Sequence, residues 1–367
     1  MADFPIFPFH NGQEQQPLGC KVQHYIKNAF WPQSKSSITE YGPYFKYLEW
    51  AISVSTWPED IFDRDSFAVK TYSDLSRIVS CMRLNSDCDR ASVLEKLRDE
   101  FPRLSDDKIS RSMDLTLRLW LCIYARSKDL RVGASLANMT EIEWQDSTSL
   151  KRLAQDCFPV YSGLVPSQIG NIDPAFTVQN LRKLCRIKVH WTGNLLDHLS
   201  YDSSTKILRL FPHKIFLISH WESCEVLPRA FVSETIQTLD LLFPIGEEDT
   251  AKYLKQEGQT FYRTSFRNPI RATDFGEFRY WGKRLEELYD VFNQQPKTVL
   301  QMWYDRRNPL QWWTFWLAAL IVLLTFTFGI ISSYTGFQQM VIAERAYRLS
   351  IWQACSQPNP PAEFCNT

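Results

Sequence analysis

The sequence has little glycine, no net charge and none of the spacings on which common enzymes are built. Glycine supplies 13 of the 367 residues. Loops that cradle phosphate need glycines so that backbone amides can approach the oxygens, yet neither GxGxxG nor GxxxxGK[ST] occurs. The GxSxG elbow of serine hydrolases is missing, and so are HExxH and paired CxxC spacings, which removes the usual support for hydrolase and zinc-protease chemistry. The 41 basic and 41 acidic residues cancel, leaving no net field to attract nucleic acid. The beginning, MADFPIFPFHNGQEQQ, lacks a basic n-region and an apolar h-region, so no secretory signal peptide is expected. With 22% charged and 14% aromatic residues, the chain reads as folded rather than disordered.

The longest gap in charge is the most informative absence. No Asp, Glu, Lys or Arg lies between Arg307 and Glu344, and the tract Trp312–Ile331 within that gap reads WWTFWLAALIVLLTFTFGII. A helix rises about 1.5 Å per residue, so the tract matches a hydrocarbon layer of roughly 30 Å. There a helix satisfies its own backbone hydrogen bonds, which an irregular segment cannot do. Core helices of soluble proteins rarely run so far without a polar break. The expectation is one transmembrane helix over 312–333, anchored through Trp312, Trp313, Trp316, Leu317, Leu320, Ile321, Leu324, Phe328 and Ile331. A mean hydropathy of −0.29 is too polar for a chain with many spans. Trp303 and Tyr304 join the three tryptophans in an aromatic cluster suited to headgroup depth. No ionisable residue interrupts the span, which argues against an ion or proton pathway. Gly329 and Ser333 form a small-xxx-small pair that would let two copies approach closely as a homodimer.

Flanking charge sets the expected sidedness. Lys297, Arg306 and Arg307 precede the span, with Asp305 among them, and no cation follows until Arg345 and Arg348. The positive-inside rule then places the large N-terminal part in the cytoplasm. The juxtamembrane pair Arg306 and Arg307 would gain about 1 kcal/mol each beside anionic lipid, too little for specific lipid recognition. Cys20, Cys81, Cys88, Cys122, Cys157, Cys185 and Cys224 are scattered, as reduced cytosolic thiols are. Cys355 and Cys365 fall beyond the span, where an oxidising compartment would allow a disulfide stapling the tail QPNPPAEF; two unbridged thiols are the alternative. The sequon Asn138-Met139-Thr140 would lie on the cytosolic side, away from glycosylation.

Ahead of the span, patterning suggests a mainly α fold, α+β with a small antiparallel sheet. Residues 1–69 alternate aromatics with prolines and read as irregular or weakly helical. A helical bundle is expected over 70–128. It would comprise a helix with Leu75, Ile78, Val79 and Met82 on one stripe, a break at Asp87-Cys88-Asp89 and a second helix ended by Phe101-Pro102. A third helix starts behind Ser105 and carries Ile109, Met113, Leu117, Trp120, Leu121 and Tyr124. An α+β region follows over 129–296. There RVGASLANMTEIEW suggests one or two short strands, SLKRLAQDCFP a short helix, Asn180–Leu184 a helix and Arg186–Trp191 a strand. HLSYDSSTKILRLF reads as two strands around a polar turn, His213–His220 is ambiguous, and PRAFVSETIQTLDLLF and FGEFRYWGKRLEELYDVF read as helices. Residues 297–311 form a juxtamembrane linker. Within 334–367, Gly336–Ala354 suggests an amphipathic helix with Phe337, Met340, Val341, Tyr347 and Ile351 opposite Gln338, Glu344, Arg345 and Arg348; an extended tail is the alternative.

The stretch FRYWGKRLEELYDVF, the junction WYDRRNPLQWWTFWLAALIVLLTFTFG and the segments LRDEFPRLSDDKISRSMDLTLRLWL and LRKLCRIKVHWTGNLLDHL resemble a group of uncharacterised filamentous-fungal single-span membrane proteins. The resemblance covers roughly Leu75 to Gln353. It implies a soluble α-rich domain, a C-terminal transmembrane helix and a fungal source, and it carries no known activity and no catalytic residue.

The remaining chemistry is thin. Cys185, His190, His198, His213, His220 and Cys224 offer soft donors within forty residues, but their separations match no compact metal motif, so packed thiols and strand-capping histidines are the preferred reading. Asp197-His198 suggests an acid–base pair, although neighbours in a strand point to opposite faces. Gly246-Glu247-Glu248-Asp249 reads as an exposed helix-start turn. No cofactor, metal or catalytic residue is expected. The leading expectation is a cytosolic interaction or scaffold domain on a single-pass anchor, with the lipid bilayer and an unidentified protein as partners. The alternative is a membrane-tethered enzyme on an unfamiliar fold, acting on a lipid or small molecule.

Overall fold

The computed structural model describes residues 4–6, 18–54, 64–126, 140–161, 171–223, 226–261, 271–272, 274–294 and 309–356, without the side chains of 54, 64, 309 and 311. The chain divides into two compact units, Met1–Gln295 and Pro296–Thr367.

The first unit is built around one helix. Helices α1 (Cys20–Phe30), α2 (Gly42–Val54), α3 (Tyr72–Leu84) and α4 (Arg90–Glu100) precede α5 (Asp106–Leu121). The stripe expected on α3 faces inward, with Leu75, Ile78, Val79 and Met82 all buried. A capping box starts it: the Thr71 hydroxyl accepts from Asp74 N–H at 3.2 Å while the Asp74 carboxylate accepts from Thr71 N–H at 3.0 Å. Asp89 caps α4 by accepting from Ser92 N–H at 2.8 Å. On α5 every residue from Ser112 to Leu121 is buried, so a helix expected to show one apolar stripe is enclosed on all sides.

Enclosure leaves the C-terminal carbonyls of α5 out of reach of water, and side chains from elsewhere satisfy them in succession. Tyr47 Oη donates to the Arg118 carbonyl at 3.3 Å and Tyr44 Oη to Leu119 at 2.6 Å. The His220 Nε2–H takes Trp120 at 3.0 Å. Cys122 ends the helix in the left-handed region, φ 53°, and its carbonyl accepts from Leu195 N–H at 2.8 Å.

Much of the described N-terminal stretch is helical rather than irregular. On α1, Val22, Ile26 and Phe30 recur every four residues and are buried, and α2 buries Tyr44, Phe45, Tyr47, Leu48, Ala51 and Ile52. Pro43 reads as a breaker, but it is the second residue of α2, where no intrahelical N–H bond is lost.

Strands β1 (Ala125–Arg126) and β2 (Ile142–Glu143) pair in parallel, and α6 (Leu150–Cys157) and α7 (Val178–Cys185) follow. Arg186, at φ 58°, ends α7 and leads into β3 (Lys188–Trp191). Strands β4 (Ser200–Asp202) and β5 (Ile207–Leu210) form an antiparallel pair around a turn in which the Asp202 carboxylate accepts from Ser204 N–H (2.9 Å) and the hydroxyls of Ser204 and Thr205 (2.6 Å each). β3 adds to β5 in parallel, so the small sheet is mixed, with order β3-β5-β4.

The ambiguous stretch becomes α8 (Lys214–Ser223), packed on α9 (Arg229–Leu242). α10 (Glu248–Gln256) begins with Glu248 and Asp249 in its first turn, after Gly246 at φ 91°. α11 (Gly282–Asn293) starts later than the pattern suggested, because Phe275–Glu277 form a 3-10 turn capped by Asp274 and the amides of Arg279, Tyr280 and Trp281 serve another partner, described below.

In the second unit, α12 (Pro309–Cys355) is one uninterrupted helix of 47 residues. At about 1.5 Å per residue, a helix of that length far exceeds a hydrocarbon layer of roughly 30 Å.

Candidate functional site

The expected anchor residues lie on the first half of α12. Trp312, Trp313 and Trp316 cluster there, with ring centroids 5.3 Å apart for the first pair and 5.9 Å for Trp312 and Trp316. Leu317, Leu320, Ile321, Leu324, Phe328 and Ile331 are all exposed, from 45% at Leu324 to 66% at Phe328. The most apolar window of this helix has a mean hydropathy of 2.3 and no buried residue, and the helix is long and apolar enough to cross a membrane. Its threonines hide their hydroxyls: Thr325 donates to the Ile321 carbonyl (2.8 Å), Thr327 to Leu323 (2.6 Å) and Thr335 to Ile331 (3.0 Å). Gly329 has open space where a side chain would be.

Glu344 and Arg348 pair at 2.5 Å across one turn. They do not sit opposite the apolar face as expected. At about 100° per residue they fall on the stripe of Phe337, Met340 and Ile351, so this part of α12 is not amphipathic in the anticipated sense. Cys355, at the end of α12, is disulfide-bonded. Cys365, Arg306 and Arg307 lie outside the described residues.

The histidine–cysteine group does not converge. His198 is buried, its Nε2 bonded to the Thr238 hydroxyl at 2.8 Å and its Nδ1 accepting from Phe211 N–H at 3.2 Å. His213 packs against the rings of Tyr44, Tyr47 and Phe211, and His220 caps α5. Burial holds all three imidazoles at about 3, far below their ordinary value. His190 is exposed on β3, and Cys185 Sγ donates to the Val291 carbonyl at 3.6 Å. Cys224 lies outside the described residues, among which no three His, Cys, Asp or Glu side chains could share a metal. Asp197 turns away from His198: it ends a 3-10 turn rather than a strand, and its carboxylate accepts from Thr140 Oγ1 at 2.6 Å.

A feature that sequence reasoning missed lies where α6, α9 and α11 meet. There a cavity of about 270 Å³ opens to solvent. Its wall is aromatic: Phe158 and Phe231 stack at 4.0 Å, and Trp281 stands 5.6 Å from Phe231. Trp281 is fixed by Glu234, whose buried carboxylate accepts from the backbone N–H groups of Arg279 (2.9 Å), Tyr280 (2.8 Å) and Trp281 (2.7 Å), and by Thr235, which accepts its indole N–H at 2.8 Å. Two cations from the first turn of α11 reach the cavity, Lys283 and Arg284, and no acid lines it among the described residues. Arg284 donates to the carbonyls of Leu196 (2.8 Å) and His198 (2.5 Å), with its guanidinium 5.2 Å from the Trp281 ring centroid. Cys157 also faces the space, but burial pushes its thiol up to about 12, so it is no nucleophile at neutral pH. No histidine among the described residues lines the cavity. The residues are drawn from four separated segments, so no local motif could have announced them.

No family model, curated protein or solved structure matches this chain.

Proposed function

We propose that the chain is a single-pass membrane protein whose large N-terminal body faces the cytoplasm and serves as an interaction or scaffold domain. The observation that carries this reading is the uncovered apolar first half of α12, a surface that costs about 25 cal/mol per Å² to leave in water. Two features favour the sidedness. Arg306 and Arg307 stand before the apolar tract, and cations concentrate on the cytoplasmic side. Cys20, Cys81, Cys88, Cys122, Cys157 and Cys185 are unbridged whereas Cys355 is oxidised, the division expected if the two ends of α12 see reducing and oxidising compartments. Membership of the fungal single-span group belongs to the same proposal.

The test is extraction of membranes with alkaline carbonate, followed by protease treatment of intact vesicles. The protein stays in the pellet, the body is digested from outside, and the segment beyond the span is protected. Release into the supernatant overturns the anchor; a protected body with a clipped tail overturns the sidedness. Pulldown from detergent-solubilised membranes tests the scaffold role, and recovery of nothing above background counts against it. The competing reading, a membrane-tethered enzyme, gains no observation from the buried histidines, since none meets a carboxylate in a cleft.

A further inference from the structure

We infer that the cavity between α6, α9 and α11 binds a small apolar molecule carrying one carboxylate, its hydrocarbon part against Val160 and Tyr161, backed by Phe158, Phe231 and Trp281, and its acid group against Lys283 and Arg284. This inference does not rest on the membrane reading.

Three observations support it. The first is the wall. Phe231 and Trp281 are almost fully buried and back the wall, and Trp281 is locked by four hydrogen bonds through its own and neighbouring amides and its indole, so the layer behind the reachable apolar surface is rigid. A rigid backing lowers the ordering cost that weakens binding to mobile surfaces. The second is charge. Both ionised side chains lining the space are basic. Arg284 is oriented by two neutral carbonyls and not by an ion pair. Asp197 and Glu287 lie near enough to offset part of its charge, and Glu234 stands one layer behind, engaged with three amides. Lys283 makes no hydrogen bond or ion pair among the described residues, so it is available to a ligand. The third is the rim, where Val160 is 52% and Tyr161 37% exposed, an apolar edge continuous with the aromatic wall.

Size narrows the class. Pockets for drug-sized ligands measure roughly 300–1,000 Å³. A cavity of about 270 Å³ suits a medium-chain acyl acid or a short aryl acid rather than a phospholipid. A nucleotide is a poor fit, because its several negative charges would meet two cations and an otherwise apolar wall.

The experiment is calorimetric titration of the full chain in nanodiscs with octanoate, with 4-phenylbutyrate and with neutral octanol, subtracting empty discs. At least one acid is expected to bind saturably at one site, and octanol at least fivefold more weakly. Lys283→Glu, an exposed substitution, is expected to weaken the acid by about tenfold, the effect of about one lost charge contact. Val160→Glu at the rim is expected to do the same by repulsion. Octanoate or phenylbutyrate binding alone assigns the acyl or the aryl source. Saturable binding of neither acid, octanol binding as tightly as the acids, or unchanged affinity in both variants overturns the inference.

Discussion

The two compact units treat the same residue types in opposite ways. In Met1–Gln295 the large rings are inside: Trp31, Tyr44, Phe211 and Phe216 are each fully buried. On α12, Trp313, Phe326 and Phe328 are all more than 60% exposed. Polar groups differ as well. The body takes His198, His220 and Glu234 inside and gives each a hydrogen-bond partner, whereas α12 folds its threonine hydroxyls back on its own carbonyls. Residue type alone does not place a side chain; the solvent around each unit does. One unit is arranged for water outside, and the other has a surface suited to hydrocarbon.

The largest expected effect is the one that breaks this contrast. Leu320 and Leu324 are 50% and 45% exposed, so arginine at either position would be nearly neutral if α12 were bathed in water. In a bilayer each arginine near the helix centre costs about 2.5–3.5 kcal/mol. The double variant Leu320→Arg/Leu324→Arg is therefore expected to move from the carbonate-resistant pellet to the supernatant with its body still folded. Pelleting of the double variant at wild-type levels would remove the hydrocarbon reading.

Acid sharpens the same contrast from the side of the body. His198, His213 and His220 are held at about 3, against an ordinary value near 6.5. Between those values the unfolded chain takes up protons that the folded one refuses, so stability is fully present above about pH 6.5 and falls as pH drops toward 3. At pH 5 each histidine removes on the order of 2 kcal/mol. Urea midpoints measured from pH 7.5 to 4.5 should fall steeply for the body, while helicity at α12, which has no histidine, should not respond. A flat profile would mean the imidazoles are not enclosed as described.

Glu234→Ala comes next. It strands three amides beside the cavity and one turn ahead of α11. Leaving buried donors without partners costs about 1–3 kcal/mol each, partly relieved by water at the cavity. A loss of about 3 kcal/mol in the urea midpoint of the body is expected, with Glu234→Gln recovering part of it; an unchanged midpoint would deny the clamp.

Legibility in the sequence follows from the physics of each element. α3 and β5 each have one buried face, so their periods of 3.6 and 2 survive in the residue order. The apolar first half of α12 needs no period at all. α8 was ambiguous because Lys214–His220 are buried on every side, which erases the alternation. α2 was obscured by a proline whose position within the first turn decides its meaning. The continuation of α12 past the apolar tract is helical as one of the two expectations had it, but at about 100° per residue Glu344 and Arg348 share the stripe of Phe337 and Met340 instead of standing opposite it. The Glu234 clamp and the cavity are contacts between residues tens of positions apart, and nothing local encodes them.

The smallest effect tests the cap on the central helix. Tyr44→Phe removes the donor that satisfies the Leu119 carbonyl, while its ring can keep its place between Trp31 and Phe216. A net hydrogen bond contributes about 0.5–1.5 kcal/mol, and a buried carbonyl left alone costs somewhat more. Tyr47→Phe removes a longer bond, 3.3 Å against 2.6 Å, and should cost less. The difference discriminates between two sources of stability. If both tyrosines act only through ring packing, the two phenylalanine variants will be indistinguishable from wild type. A graded loss, larger at Tyr44 than at Tyr47, means that an enclosed helix end depends on borrowed donors. α12, with its end in no such enclosure, has no equivalent requirement among its described residues.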